Sequence, residues 1–285
     1  MAAGVTGKPT IAAGYPPEMA EEARSMCLFV ATILGDLWDD VVVIGGLVPY
    51  LIIDQQAVDL PRHVGTRDLD LGLSLAVLDA ERYKEISQRL RQRGFRPEQN
   101  AGGNPSRQTW GLPEARITID FLIPPTPDGA RPGRLQNLEP DFAAIVTPAL
   151  PLAFMDRVVI TMDGITPLGE RAKRDVQVCG PAAFVILKAF ALRLRGENKD
   201  AYDLVYVLQN FGAGVGDVAA HLSVLLQEPD TTRALGYLAE DFASPEHIGP
   251  KRRASFIAGR HDPDLQADAF GLVADLLARV RRMSQ

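Results

Sequence analysis

The chain has 285 residues, 46% of them hydrophobic, and a formal net charge of -6. That is enough apolar material for one large domain or two modest ones, and the acidic balance argues against a protein that coats nucleic acid through bulk electrostatics. Cys27 and Cys179 form no CxxC pair and His63, His221, His247 and His261 lack zinc-ligand spacing, so neither a disulfide framework nor a structural zinc is expected.

Residues 1–17 are rich in Ala, Gly and Pro and read as a loose leader. The leader lacks the basic start, apolar core and cleavage site of a secretory signal, which makes the cytoplasm the expected compartment. A first helix is expected from Glu18 to Leu34, then a buried strand over Val41 to Ile44 that ends in Gly45 and Gly46 and turns tightly into a helix. The apolar stretch Val41 to Ile53 is interrupted by Pro49 and is shorter than the roughly 20 residues of a membrane helix, so no spanning segment is expected. A polar connection carrying His63 and Gly65 follows. From Asp68 to Leu75 the residues alternate strictly, with leucines on one face and Asp68, Asp70, Gly72 and Ser74 on the other. Asp79 is placed to cap a helix that Gly94 ends. Arg116 to Ile123 alternates again, with Thr118 and Asp120 sharing the polar face. Pro124 to Asn137 reads as a surface excursion, and Phe142 to Val146 and Arg157 to Thr161 as further strands. Beyond Pro181 the pattern is helical, over Pro181–Arg195, Lys199–Asn210, Val215–Leu226, Thr231–Phe242 and Pro263–Met283. The run Lys251, Arg252, Arg253 reads as a solvated segment. The expected class is therefore α/β (α+β), a mixed sheet flanked by helices over 18–179 followed by a helical domain over 180–285.

Two aspartates separated by one residue on a strand project the same way, with side chains about 7 Å apart. Like charges held so close must be hydrated, protonated or neutralised, and magnesium prefers hard oxygen ligands. Asp120 offers a third carboxylate if its strand is a neighbour. Taken alone, Asp68 and Asp70 also suit the wet side of an edge strand. The turn at Gly45 and Gly46 would let backbone amides approach a phosphate at a helix N-terminus, although a lone diglycine is also an ordinary turn.

These segments resemble the nucleotidyltransferase superfamily, whose core pairs a Gly-Gly or Gly-Ser turn with a strand-borne DxD and a later acidic residue. The likeness is strongest to the AbiEii-type toxin nucleotidyltransferases of type IV toxin–antitoxin systems. It rests on Val43-Ile44-Gly45-Gly46, on Gly65-Thr66-Arg67-Asp68-Leu69-Asp70-Leu71, on Ile119-Asp120-Phe121-Leu122, and on Lys188 followed by Lys199-Asp200-Ala201-Tyr202-Asp203-Leu204. A helix and a loop between the glycine turn and the DxD suit that branch. Many relatives carry a basic residue two positions before the threonine; here that position is Val64, with Arg62 and His63 beside it, and nucleotide choice stays open.

The resemblance implies a nucleotidyltransferase-fold enzyme in which Asp68, Asp70 and Asp120 are catalytic and hold magnesium, with two ions expected. It implies that Gly45, Gly46, Thr66, Arg67, Lys188 and Lys199 contact a nucleoside triphosphate (NTP). RNA, transfer RNA above all, is the implied acceptor, and an antitoxin protein a possible partner. A small-molecule transferase of the aminoglycoside type and a non-catalytic nucleotide-binding scaffold are the alternatives.

Residue chemistry bears on the helical part as well. Lys188 lies in a run that is apolar almost all round, so it must snorkel or meet an anion, either the triphosphate or Asp203. Asp203, in an equally apolar run, calls for a partner. Asn198 is placed to cap its helix with Asp200 in the first turn, a structural role for Asp200. Lys199 is expected to face solvent or phosphate. Arg131 and Arg134, on the proline-rich excursion, offer a segment that could close over a triphosphate or an acceptor, although loop arginines are usually just solvated.

Overall fold

The β-branched run at 41–44 and the alternating run after Asp68 become neighbouring strands in the middle of one mixed sheet. The computed structural model describes residues 8–56, 62–74, 80–99, 103, 105–113, 115–127 and 129–283. Among the described residues there are nine strands: β1 (Val41–Ile44), β2 (Asp68–Leu73), β3 (Arg96–Gln99), β4 (Pro105–Gly111), β5 (Thr118–Ile123), β6 (Leu135–Glu139), β7 (Phe142–Val146), β8 (Arg157–Ile165) and β9 (Arg171–Cys179). Their order is β3-β4-β5-β2-β1-β9-β8, with β7 beside β5 and β6 beside β7. Ten α-helices accompany them among the same residues: α1 (Met19–Leu34), α2 (Val48–Ile52), α3 (Ala80–Gln92), α4 (Leu150–Met155), α5 (Pro181–Leu194), α6 (Asn198–Asn210), α7 (Val215–Leu222), α8 (Pro229–Asp241), α9 (Ile248–Ala258) and α10 (Pro263–Met283). The mixed α/β sheet followed by a helical C-terminal region is the architecture expected.

Register decides what the polar faces do. β2 runs antiparallel to β1, pairing Ile44 with Asp70, and parallel to β5, pairing Asp70 with Asp120. Leu69, Leu71, Leu73, Ile119, Phe121 and Ile123 are buried on the opposite face. β2 is central, so its carboxylates do not occupy the wet side of an edge strand. Leu150 of α4 covers Gly72, two residues along from Asp70 on the same face. The buried apolar side chains of the sheet and of the C-terminal helices form one continuous cluster, which runs from Leu69 through Phe184 and Val205 to Val273. No described helix is long and apolar enough to cross a membrane.

Several elements differ from the sequence expectation. β3, β4 and β9 are polar or charged along most of their length and take their order from pairing partners; β9 is zipped to β8 over all nine of its residues. β6 begins inside the supposed surface excursion at 124–137, recruited by β7. α9 contains the run expected to be solvated: Arg253 is buried and its guanidinium donates to the Leu265 carbonyl at 2.6 Å. Asn198 is the first residue of α6 rather than its cap, and that helix start has no side-chain cap hydrogen bond. Gly94 does end α3, with φ +93° and its amide donating to the Arg91 carbonyl. Leu75 and Asp79 lie outside the described residues.

Candidate metal and phosphate site

The parallel register of β2 and β5 brings Asp68, Asp70 and Asp120 together, and one oxygen from each lies within 4.8 Å of the other two. Two hydroxyls fix the outer members: Thr66 donates to Asp68 Oδ1 and Thr109 of β4 to Asp120 Oδ1, both at 2.6 Å. Burial, and then the charge of Asp68, push the Asp70 carboxyl up to about 7; the same two causes raise Asp120 to about 6 against the pull of the Thr109 hydrogen bond. Burial would raise Asp68 too, but the Lys8 ammonium and the Thr66 hydroxyl hold it below the usual carboxylate range. This is an over-concentrated negative site, which a cation relieves.

The residues present fit a divalent cation. Three hard oxygen donors converge, and the buried Asp68 Oδ2 accepts no hydrogen bond of regular geometry, meeting only the Lys8 ammonium as an ion pair. The diglycine bend closes one side. Gly45 has φ +72°, and a Cβ there would stand 1.8 Å from Asp70 Oδ2; a Cβ at Gly46 would meet Thr66 Oγ1 at 2.7 Å and Lys199 Nζ at 3.1 Å. Only glycine permits this approach.

Facing the carboxylates is a second cluster, built from α5 and α6. Lys188 donates to Asp200 at 2.9 Å and to Asp203 at 2.7 Å, and Lys199 reaches Asp203 at 2.8 Å. Lys188 is therefore paired with carboxylates, the structural partner considered for it, and remains in the wall of the site. Lys199 is buried rather than solvent-facing. Asp200, expected to serve the helix dipole, instead receives Lys188 and two hydrogen bonds from Arg195, at 2.8 and 2.7 Å. His63 completes the set. Its Nδ1 accepts the Gly65 amide at 3.1 Å, so its Nε2 carries the proton and donates to Asp203 at 2.9 Å. Burial lowers its pKa to about 4, which keeps the ring neutral.

Thr66, Arg67, Gly46, Asp68, Asp70, Lys188, Lys199, Asp200 and Asp203 line one narrow crevice. Beside it opens a cavity of about 330 Å³, which Asp70, Asp120 and Gly45 share with an apolar wall that includes Leu122, Ile145, Phe184 and Leu187. Arg131 and Arg134 are exposed and line neither space; Gly133 between them reaches the cavity wall. A larger groove of about 820 Å³ lies away from the triad, and two of its arginines are already paired, Arg116 with Glu22 of the same groove and Arg93 with Glu170 outside it.

Two cations of the site were missed in the sequence. Arg195 borders both spaces from just beyond α5, where it reads as an ordinary helix-end arginine; the signal was the Asp200 five residues later. Lys8 belongs to the supposed leader, and nothing local marks it. Set against known proteins, the chain matches no protein-family model and no curated protein.

Proposed function

We propose that this protein is a magnesium-dependent nucleotidyltransferase that moves a nucleoside monophosphate from an NTP to an acceptor hydroxyl and releases pyrophosphate. The observation that carries the reading is the convergence of Asp68, Asp70 and Asp120, the first two of which line one crevice together with Lys188, Lys199 and Arg195. Such a pairing of hard carboxylates with fixed cations suits a metal-chelated polyphosphate, which presents both charge types at once.

Asp68, Asp70 and Asp120 would hold a divalent ion, which when bound would supply positive charge to the phosphate oxygens at this face. The protein's own groups do the remainder. Lys188, Lys199 and Arg195, with the amides of Gly45 and Gly46, hold the β- and γ-phosphates, and Thr66 and Arg67 line the same crevice. The apolar wall of the adjoining cavity, with Phe184 and Leu187, excludes water from the α-phosphorus. Asp120, oriented by Thr109, accepts the acceptor hydroxyl's proton as its oxygen attacks that phosphorus and the bond to the β-phosphate oxygen breaks.

RNA, with transfer RNA foremost, is the acceptor supported by the sequence likeness, in a toxin-like enzyme that an antitoxin protein would control. The net charge of -6 favours a small-molecule acceptor instead. Incubation with radiolabelled NTPs, magnesium and either total RNA or an aminoglycoside panel separates these. Label in transfer RNA supports the first acceptor and label on a small molecule the second. Asp68→Asn should lower transfer by about 10³-fold or more while the circular dichroism stays unchanged. A fully active Asp68→Asn protein would remove the metal role.

A further inference from the structure

Lys8 enters the carboxylate cluster from outside every motif. Its ammonium lies against Asp68, and both Asp68 and Asp70 stabilise its charge. It borders both the crevice and the adjoining cavity. The lysine therefore satisfies one of the oxygens that a divalent ion would need, Asp68 Oδ2.

The segment that delivers it is held at one end. Tyr15 is buried, its ring tilted against Phe256 at 5.8 Å and under the Lys199 ammonium at 5.6 Å. A short 3-10 turn over Ala12–Gly14 leads to it, and the Tyr15 hydroxyl donates weakly to the Pro9 carbonyl at 3.4 Å. The Lys8 side chain, by contrast, is 45% exposed. A pivot ahead of Ala12, which packs against the core, would free Lys8 and leave Tyr15 in place.

We propose that residues 8–15 form a strap whose Lys8 ammonium, paired with Asp68, stands in for a cation at the carboxylate cluster, so that a divalent ion enters only as this lysine leaves. The proposal rests on the reading of the triad as a divalent-cation centre. Its physical basis is exclusion: an ammonium and a dication a few ångströms apart repel, and the carboxylates cannot serve both at full strength. The strap thereby makes metal loading depend on whatever draws Lys8 outward, such as the phosphates of an incoming nucleotide or a partner protein's acidic surface.

The test uses the full chain with Mn²⁺ alone as probe, titrated calorimetrically at low ionic strength into the wild type, Lys8→Ala, Lys8→Arg and Asp70→Asn. The Lys8→Ala protein should bind Mn²⁺ about tenfold more tightly than wild type, a gain that shrinks in high salt, and Lys8→Arg should bind as wild type does. If Lys8→Ala and wild type bind equally while Asp70→Asn does not bind, the metal centre stands and the strap is overturned. If none of the proteins binds Mn²⁺, the metal centre falls and the strap falls with it.

Discussion

Two charged regions face each other in this molecule, and they are balanced in opposite ways. On α5 and α6 the charges close on themselves: Lys188, Lys199 and Arg195 are met by Asp200 and Asp203, and the neutral His63 donates the last hydrogen bond. On β2 and β5 three carboxylates crowd together with Lys8 as their one ion-pair partner among the described residues, and two of them are pushed toward neutrality. A buried network that satisfies its own charges adds to the fold and fixes its cations in the crevice wall. One that leaves like charges side by side holds electrostatic work in reserve for a ligand.

The sharpest way to break this contrast is to remove one carboxylate from each side and follow stability without metal. Asp203→Ala strips Lys199 of its carboxylate and Lys188 of one of two, and should cost about 3–5 kcal/mol in urea unfolding. Asp70→Asn relieves repulsion, and should leave the metal-free protein as stable as wild type or more so. Equal losses at the two positions would erase the distinction.

A smaller effect is expected at the bend between the regions. Gly45→Ala forces a side chain into a left-handed backbone and onto the Asp70 carboxylate, so about 1–3 kcal/mol of stability should go, along with at least about tenfold in Mn²⁺ affinity. Paired melting curves and titrations check both.

The gentlest probe is pH. Asp70 and Asp120, raised to about 7 and about 6, hold protons in the metal-free fold that the unfolded chain has already released. Their contribution to stability is present at low pH and is lost as pH rises through those values. Metal must displace the same protons, so Mn²⁺ affinity should climb between about pH 5 and 7, by up to about tenfold per unit for each proton released, and level off above. An affinity that stays flat over this range would mean that the two groups are not ligands.

Strict alternation made β2 and β5 legible, because a period of two with leucine, isoleucine or phenylalanine at every second position admits little else. The long amphipathic helices α1 and α10 were legible for the same reason at a period of 3.6. β4 and β9 were not, since their residues suit a strand only when a partner offers the hydrogen bonds. Lys188 and Asp203 announced themselves as buried charges in apolar runs, yet the run could not say whether each would meet the other or a ligand.

By itself, then, the sequence determined the periodicity, the glycine bend and the chemical identity of the three aspartates, all of which are properties of neighbours along the chain. Only the tertiary structure decided that Asp70 pairs in register with Asp120, that Arg195 and His63 close the helical charge network, and that Lys8 reaches across to Asp68. Those are contacts between distant segments, fixed by how the sheet and helices share one core, and no local pattern encodes them.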